Sequence, residues 1–252
     1  SYIIKNVIMK KPDLLCIAHR GAMGHKPENT LASVREAMKL GASCIEIDAY
    51  YVDNHLAIFH DNRLERTTNG TGYLCEQSFE YLRTLDAGDG QQIPTLEEVC
   101  DLVDSQVCLN IELKGENTAV PVAVLLTKLI DNGWDKESFL VSSFRHRELL
   151  EIKQRIPEIK IGALLHGLPV DDAKFAADLG AFSVHPSLEC IDKRFVEDAH
   201  TRCLRVYASG ADHIEDIDKM HKLGVDGEFT AFPARVVENY SQGDFTTRWC
   251  DR

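Results

Sequence analysis

Two acids lie two residues apart in Ser43-Cys44-Ile45-Glu46-Ile47-Asp48-Ala49-Tyr50. The run reads as a short buried strand, in which residues two apart share a face. Cys44, Glu46 and Asp48 then point one way, and Ile45, Ile47 and Ala49 point the other, where they can pack under helices. Two carboxylates taken out of water together are costly unless a metal ion, a cation or a shared proton holds them. Salt bridges to a Lys or Arg at a strand end are the plainer alternative. A second run, Asn110-Ile111-Glu112-Leu113-Lys114, has the same alternation, with Asn110, Glu112 and Lys114 on one face. Three carboxylates (Glu46, Asp48, Glu112) without Cys or His at metal-ligand spacing suit a hard cation, Mg²⁺ or Ca²⁺, better than zinc. His19 and His60 come from different segments, and imidazole is a common general acid or base. Arg20 and Lys114 can hold phosphate oxygens, one as a fork and the other as a point charge. Together these groups point to phosphoryl transfer or phosphodiester cleavage.

Such groups act only if the chain brings them together. Alternating apolar runs and helical periodicities predict strands at 14–19, 43–50, 56–59, 107–113, 139–142, 160–165, 181–184, 203–208 and 225–229. Helices are expected at 30–40, 95–104, 118–132, 145–154, 171–179, 192–201 and 213–223, and from Pro233. Residues 62–94, rich in Gly, Thr and Asp, are too long for a simple loop and read as an inserted excursion with a short helix near 78–85. The pattern is eight strand–helix units, and returning to the same sheet edge each time requires parallel strands. The fold class expected is α/β, a (β/α)₈ TIM barrel with a small inserted subdomain after the second strand, in one domain over 1–252. A doubly wound open sheet is the rival, but its Gly-rich dinucleotide turn is missing. In a barrel the active site lies at the C-terminal strand ends. His19-Arg20, Glu46 with Asp48, His60-Asp61, and Glu112 with Lys114 all fall there. Ser143-Phe144 after the fourth strand and His185-Pro186 after the sixth are further mouth candidates, although His185 could equally serve packing.

Net charge is −12 over 252 residues, which argues against a broad grip on nucleic acid. One small anion held by a metal or an Arg remains compatible. No apolar run approaches the ~20 residues of a membrane span, so no stable membrane insertion is expected. The first ten residues carry a weak apolar patch without a signal-peptide core. Eight Cys occur without a CxxC. Cys16, Cys44, Cys108 and Cys203 lie in or beside apolar runs, which suits buried, reduced thiols and a cytoplasmic location. Oligomeric state is not legible in the sequence.

Several motifs in order then carry a family resemblance: His19-Arg20-Gly21, Pro27-Glu28-Asn29-Thr30, Glu46-Ile47-Asp48, His60-Asp61, Leu64-Glu65-Arg66-Thr67-Thr68-Asn69-Gly70-Thr71-Gly72, Leu85-Asp86-Ala87-Gly88, Ile93-Pro94-Thr95-Leu96-Glu97-Glu98 and Asn110-Ile111-Glu112-Leu113-Lys114. The sequence resembles the glycerophosphodiester phosphodiesterases, densely over 15–114 and more weakly to Pro233. The resemblance implies hydrolysis of a small-molecule glycerophosphodiester to glycerol 3-phosphate and an alcohol. It implies one divalent cation on Glu46, Asp48 and Glu112, catalysis by His19 and His60, and phosphate binding by Arg20 and Lys114. Glu28 and Asn29 would shape the mouth, and Glu28 also suits a helix N-terminus. The chain departs from the family at Tyr207-Ala208-Ser209-Gly210, where Tyr207 could supply an aromatic wall, and at Thr230-Ala231-Phe232-Pro233. Two rivals stand beside this reading: a related barrel enzyme acting on a lysophospholipid or sphingolipid head group, and a non-catalytic phosphodiester-binding protein.

Overall fold

The computed structural model describes residues 10–11, 13–242 and 249. The apolar patch of residues 1–9 and Cys250 lie outside the described residues. The chain begins with β1 (Leu15–Ala18), α1 (Leu31–Lys39), β2 (Cys44–Val52) and β3 (His55–Ile58). After the excursion with α2 (Phe79–Leu82) come α3 (Leu96–Val103), β4 (Cys108–Leu113), α4 (Ala119–Asp131), β5 (Phe139–Ser143) and α5 (His146–Arg155). The second half runs β6 (Lys160–Leu164), α6 (Lys174–Asp178), β7 (Ser183–His185), α7 (Lys193–Thr201), β8 (Arg205–Ser209), α8 (Ile214–Leu223), β9 (Gly227–Thr230) and α9 (Pro233–Asn239).

Strand order is β1-β9-β8-β7-β6-β5-β4-β2, and a β1–β2 pairing closes the ring, with β3 antiparallel on the outside of β2. This is the closed parallel eight-stranded barrel that the alternation predicts. Strand parity divides the core. Ile45, Ile47, Ala49, Leu109, Ile111 and Leu113 pack in the large cluster under the helices. Cys44, Cys108, Leu140, Tyr207 and Phe229 fill the inside of the barrel. Cys203 does not join the buried thiols: it is exposed, in a left-handed turn (φ 62°) two residues before β8.

Caps fix where the helices start. Thr30 and Ser33 form a reciprocal capping box at α1, and Thr95 and Glu98 form one at α3. Helix α4 borrows its cap: Glu148 of α5 accepts from the backbone N–H of Asn117 and of Ala119, at 2.9 and 2.8 Å. The excursion makes its own small core, in which Leu64, Leu74, Phe79, Leu82, Leu85 and Ile93 pack against Tyr50, Val52, Ala57 and Phe59. Its expected helix near 78–85 is one turn, α2. Arg83 follows it and forks onto Glu98 at 2.7 and 2.9 Å, tying the excursion to α3. Among the described residues no helix is long and apolar enough to cross a membrane.

Candidate active site

The β2–β4 register sets Asp48 directly beside Glu112 and Glu46 beside Asn110. One carboxylate oxygen from each of Glu46, Asp48 and Glu112 lies within 4.8 Å of the others, and all three side chains are buried. Burial, then the charges of Asp48 and Glu112, raises the Glu46 carboxyl well above its ordinary value. Burial and Asp48 push Glu112 up to about 7. Glu46 Oε1 and Asp48 Oδ1 are buried without a hydrogen-bond donor among the described residues. An acceptor left in that state is costly, and two such oxygens in an acidic cluster fit a hard divalent cation.

Cations gather at the edge of this cluster. Lys114 donates to Glu112 Oε1 at 2.8 Å and lies 3.7 Å from Asp48 Oδ1. Burial works against its charge, but Glu112 and Asp48 more than offset that and raise its pKa. Arg20 donates to Glu28 from Nη1 at 2.9 Å, and its Nε lies 3.5 Å from Asp48 Oδ2.

The loop carrying Arg20 is tightly built. Its backbone is left-handed at Arg20 (φ 51°), Gly21 (φ 76°) and Asn29 (φ 56°). Arg20 N–H donates to Glu46 Oε2 at 2.9 Å, and Asn29 Nδ2 donates to Asp48 Oδ2 at 2.8 Å while its Oδ1 accepts from Asp48 N–H. A Cβ on Gly21 would fall 2.4 Å from Ser33 Oγ, so only glycine fits this turn.

His19 and His60 open onto the same cavity, about 220 Å³, together with Arg20, Glu46, Glu112 and Lys114. His19 Nε2 lies 3.9 Å from Glu46 Oε2, and burial followed by the Arg20 charge pushes its pKa down to about 4. His60 Nδ1 is 2.5 Å from Asp61 Oδ1. The rest of the wall is Asn110, Ser142, Phe144, Leu164, His166, His185, Ser209 and Phe229.

Three residues sit differently from the sequence expectation. Ser143 is not brought into the cavity. Strand β5 runs one residue further than 139–142, so Ser142 faces inward and Ser143 turns away, donating to Leu113 O at 2.6 Å and accepting from Arg145 N–H at 2.9 Å. Tyr207 forms no mouth wall. It lies mid-strand inside the barrel against Trp249, and Ser209, two residues on, reaches the cavity. Glu28 caps no helix and does not line the cavity; it joins Arg20 to Arg66.

Arg66 is the residue the sequence reading missed. It forks onto Glu28 (2.7 and 2.9 Å) and onto Asp61 (2.7 and 2.8 Å). One guanidinium from the excursion therefore braces the partner of Arg20 and the partner of His60. The sequence signal was its place in the Leu64–Gly72 motif, which carried no role for it. At the other departure, Asp212 Oδ1 accepts from Ala231 N–H at 2.8 Å and from Thr230 Oγ1 at 3.2 Å, so the β8–α8 loop holds the end of β9.

Residues 19–235 match the sequence pattern of the Glycerophosphoryl diester phosphodiesterase family. A glycerophosphodiester phosphodiesterase of Caldanaerobacter subterraneus subsp. tengcongensis is 36% identical over 239 residues, covering 91% of this chain and 98% of that relative. One from Bacillus altitudinis is 32% identical, covering 88% and 96%. Among solved structures, an Oleispira antarctica phosphodiesterase in complex with the product sn-glycerol-3-phosphate superposes with a TM-score of 0.82 at 29% identity, covering 89% of this chain and 96% of that one. With barrel, motif order and relatives in agreement, the chain belongs to the glycerophosphoryl diester phosphodiesterase family and is a glycerophosphodiester phosphodiesterase.

Proposed function

We propose that the chain hydrolyses glycerophosphodiesters to glycerol 3-phosphate and an alcohol by a cation-dependent mechanism in which His19 and His60 move the protons. The observation that carries this reading is the meeting of Glu46, Asp48 and Glu112 within 4.8 Å beside a cavity that both imidazoles line. Glu46, Asp48 and Glu112 would hold one divalent cation, Mg²⁺ or Ca²⁺. Such an ion, when bound, supplies charge to a non-bridging phosphate oxygen.

The chain's own groups do the remainder. Arg20 and Lys114 draw the phosphate oxygens in and stabilise negative charge there as the phosphorus centre is attacked. Asp61 engages His60 at Nδ1, which leaves Nε2 as the nitrogen that exchanges a proton with the substrate. One imidazole takes the proton of the nucleophile, with water supplying the oxygen that ends on phosphorus, and the other protonates the departing alkoxide. Asn29 and the Arg20–Glu46 contact keep the carboxylates aimed at a common point. The excursion at 62–94 serves as the subdomain that supplies Arg66.

The test is an assay of glycerol 3-phosphate release from glycerophosphocholine and glycerophosphoethanolamine, with and without EDTA. Release that stops with chelator and returns with excess Mg²⁺ or Ca²⁺ supports the reading. Turnover indifferent to EDTA removes the cation from it, and binding without turnover would favour a sensor. A His60→Ala variant with wild-type turnover would rule out the proton-transfer assignment.

A further inference from the structure

The charges around the cavity are segregated by strand. Among the described residues, every Asp, Glu, Lys and Arg on its wall comes from the β1–β2–β4 arc and the turns that follow it. The opposite arc, β5 to β9, contributes none of these and offers Ser142, Leu164, His185, Ser209 and Phe229. A glycerophosphodiester has a matching division, an anionic phosphorus centre beside an uncharged glycerol.

His185 is a buried polar group of the neutral arc, 2% exposed. Its ring is held on several sides. Nε2 lies 2.8 Å from Ser183 Oγ, and the rings of Tyr207 and Phe229 tilt against it at 5.6 and 5.1 Å. Gly162 makes the seat: a Cβ there would lie 2.5 Å from both His185 Cε1 and Nε2. Burial pushes the imidazole down to about 3, so the ring is neutral and suits a hydroxyl better than a phosphate. Nδ1 is buried without a partner among the described residues. Across the seam of the two arcs, Asn110 Nδ2 donates to Ser142 Oγ at 2.9 Å while Asn110 Oδ1 has no donor among the described residues. Cation binding would satisfy the orphaned oxygens of Glu46 and Asp48, but not these two neutral atoms. A hydroxyl group can donate or accept and would satisfy either.

We propose that His185, seated by Gly162 and Ser183, is a specificity-determining residue that hydrogen-bonds a hydroxyl of the substrate's uncharged glycerol moiety through Nδ1, with Asn110 Oδ1 as a second contact. This rests on the glycerophosphodiester reading above. The phosphate then lies against the charged arc, and the neutral arc selects for a polyol on one side of it.

The experiment measures a ratio, kcat/KM for glycerophosphocholine divided by kcat/KM for bis(p-nitrophenyl) phosphate, a diester without hydroxyls. In His185→Leu the ratio falls about fivefold to tenfold, the worth of one neutral hydrogen bond, and His185→Gln recovers part of it. Inhibition by glycerol 3-phosphate weakens by a similar factor relative to inorganic phosphate. Gly162→Ala, which displaces the ring, moves both ratios the same way. Ratios within twofold of wild type in a folded His185→Leu overturn the proposal, as does an equal loss on both substrates, which would mark the residue as structural. Should that variant not fold, the wild-type enzyme still decides: it must prefer a glyceryl diester over its ethyl counterpart by a similar factor, and equal rates refute the idea. A wild-type enzyme inactive on every glycerophosphodiester would instead strike the underlying functional reading.

Discussion

Glu46→Gln separates the fold's interest from the function's. The side chain is 2% exposed and its repulsive partners, Asp48 and Glu112, each offer an oxygen within 4.8 Å. At an effective dielectric constant of about 20, two unit charges at that distance repel by roughly 3 kcal/mol. Much of this is already relieved in the cation-free protein, because burial and then the charges of Asp48 and Glu112 raise the Glu46 carboxyl well above its ordinary value and so favour its protonated form. Glutamine imitates that protonated state and can still accept from Arg20 N–H. The cation-free variant should therefore match the wild type or exceed it by about 1 kcal/mol, some 2–4 °C in Tm for a chain of this size. A cation reverses the order. At a hundred times its Kd it stabilises the wild type by about 2.7 kcal/mol, or about 5–10 °C, and the variant should lose nearly all of that shift. Thermal melts in EDTA, then with Mg²⁺ or Ca²⁺ added, read both effects without any turnover. A variant that melts several degrees below wild type in EDTA yet keeps the full cation-induced shift would refute the assignment of Glu46 as an electrostatically strained ligand.

Stability of the cation-free protein should also depend on pH in a defined sense. Burial and Asp48 raise Glu112 from 4.5 to about 7, so the folded chain holds more protons than the unfolded one between those values, and stability falls as pH rises through the window. Saturating cation should remove that fall, as a series of melts from pH 4.5 to 7.5 would reveal. Arg66→Ala should lower kcat about tenfold to a hundredfold by releasing the partners of Arg20 and His60, while Tm drops only a few degrees because the guanidinium is half-exposed. Lysine at position 66 should rescue poorly because it cannot fork twice, and a lysine variant with wild-type kcat would contradict the bracing role. Gly21→Ala should cost about 1–3 kcal/mol, from a left-handed backbone and a Cβ forced onto Ser33, and an unchanged denaturation midpoint would show that the loop yields.

The strands were legible because a period of two is hard to disguise. Glu46 and Asp48 could share a face only in a strand, and Ile45 and Ile47 required that strand to be buried. The same reasoning failed at strand ends. A strand ending at 142 leaves Ser143 just past it, where its side chain could turn to the mouth. Pairing continues through it and assigns it to the helix side. Tyr207 moved the other way, since β8 begins two residues later than expected and the ring sits lower in the barrel. Glu28, which the resemblance puts at the mouth, has no strand parity to aim it, and the helix start beside it is capped by Thr30. Arg66 was beyond sequence reasoning for a further reason. It too has no strand parity to interpret, and its partners lie 38 and 5 residues away, so only the folded excursion brings them together.

The excursion has its own apolar cluster, apart from the main core, and so can open without melting the barrel. Because Arg66 rides on it, such an opening would slacken the grip on both the Arg20 side and the His60 side at once. Heating should then silence the enzyme several degrees before far-UV circular dichroism records any loss of helix, and protease clipping within 62–94 should leave a barrel that is intact but idle. The small appendage thus behaves as a fuse placed in series with the chemistry.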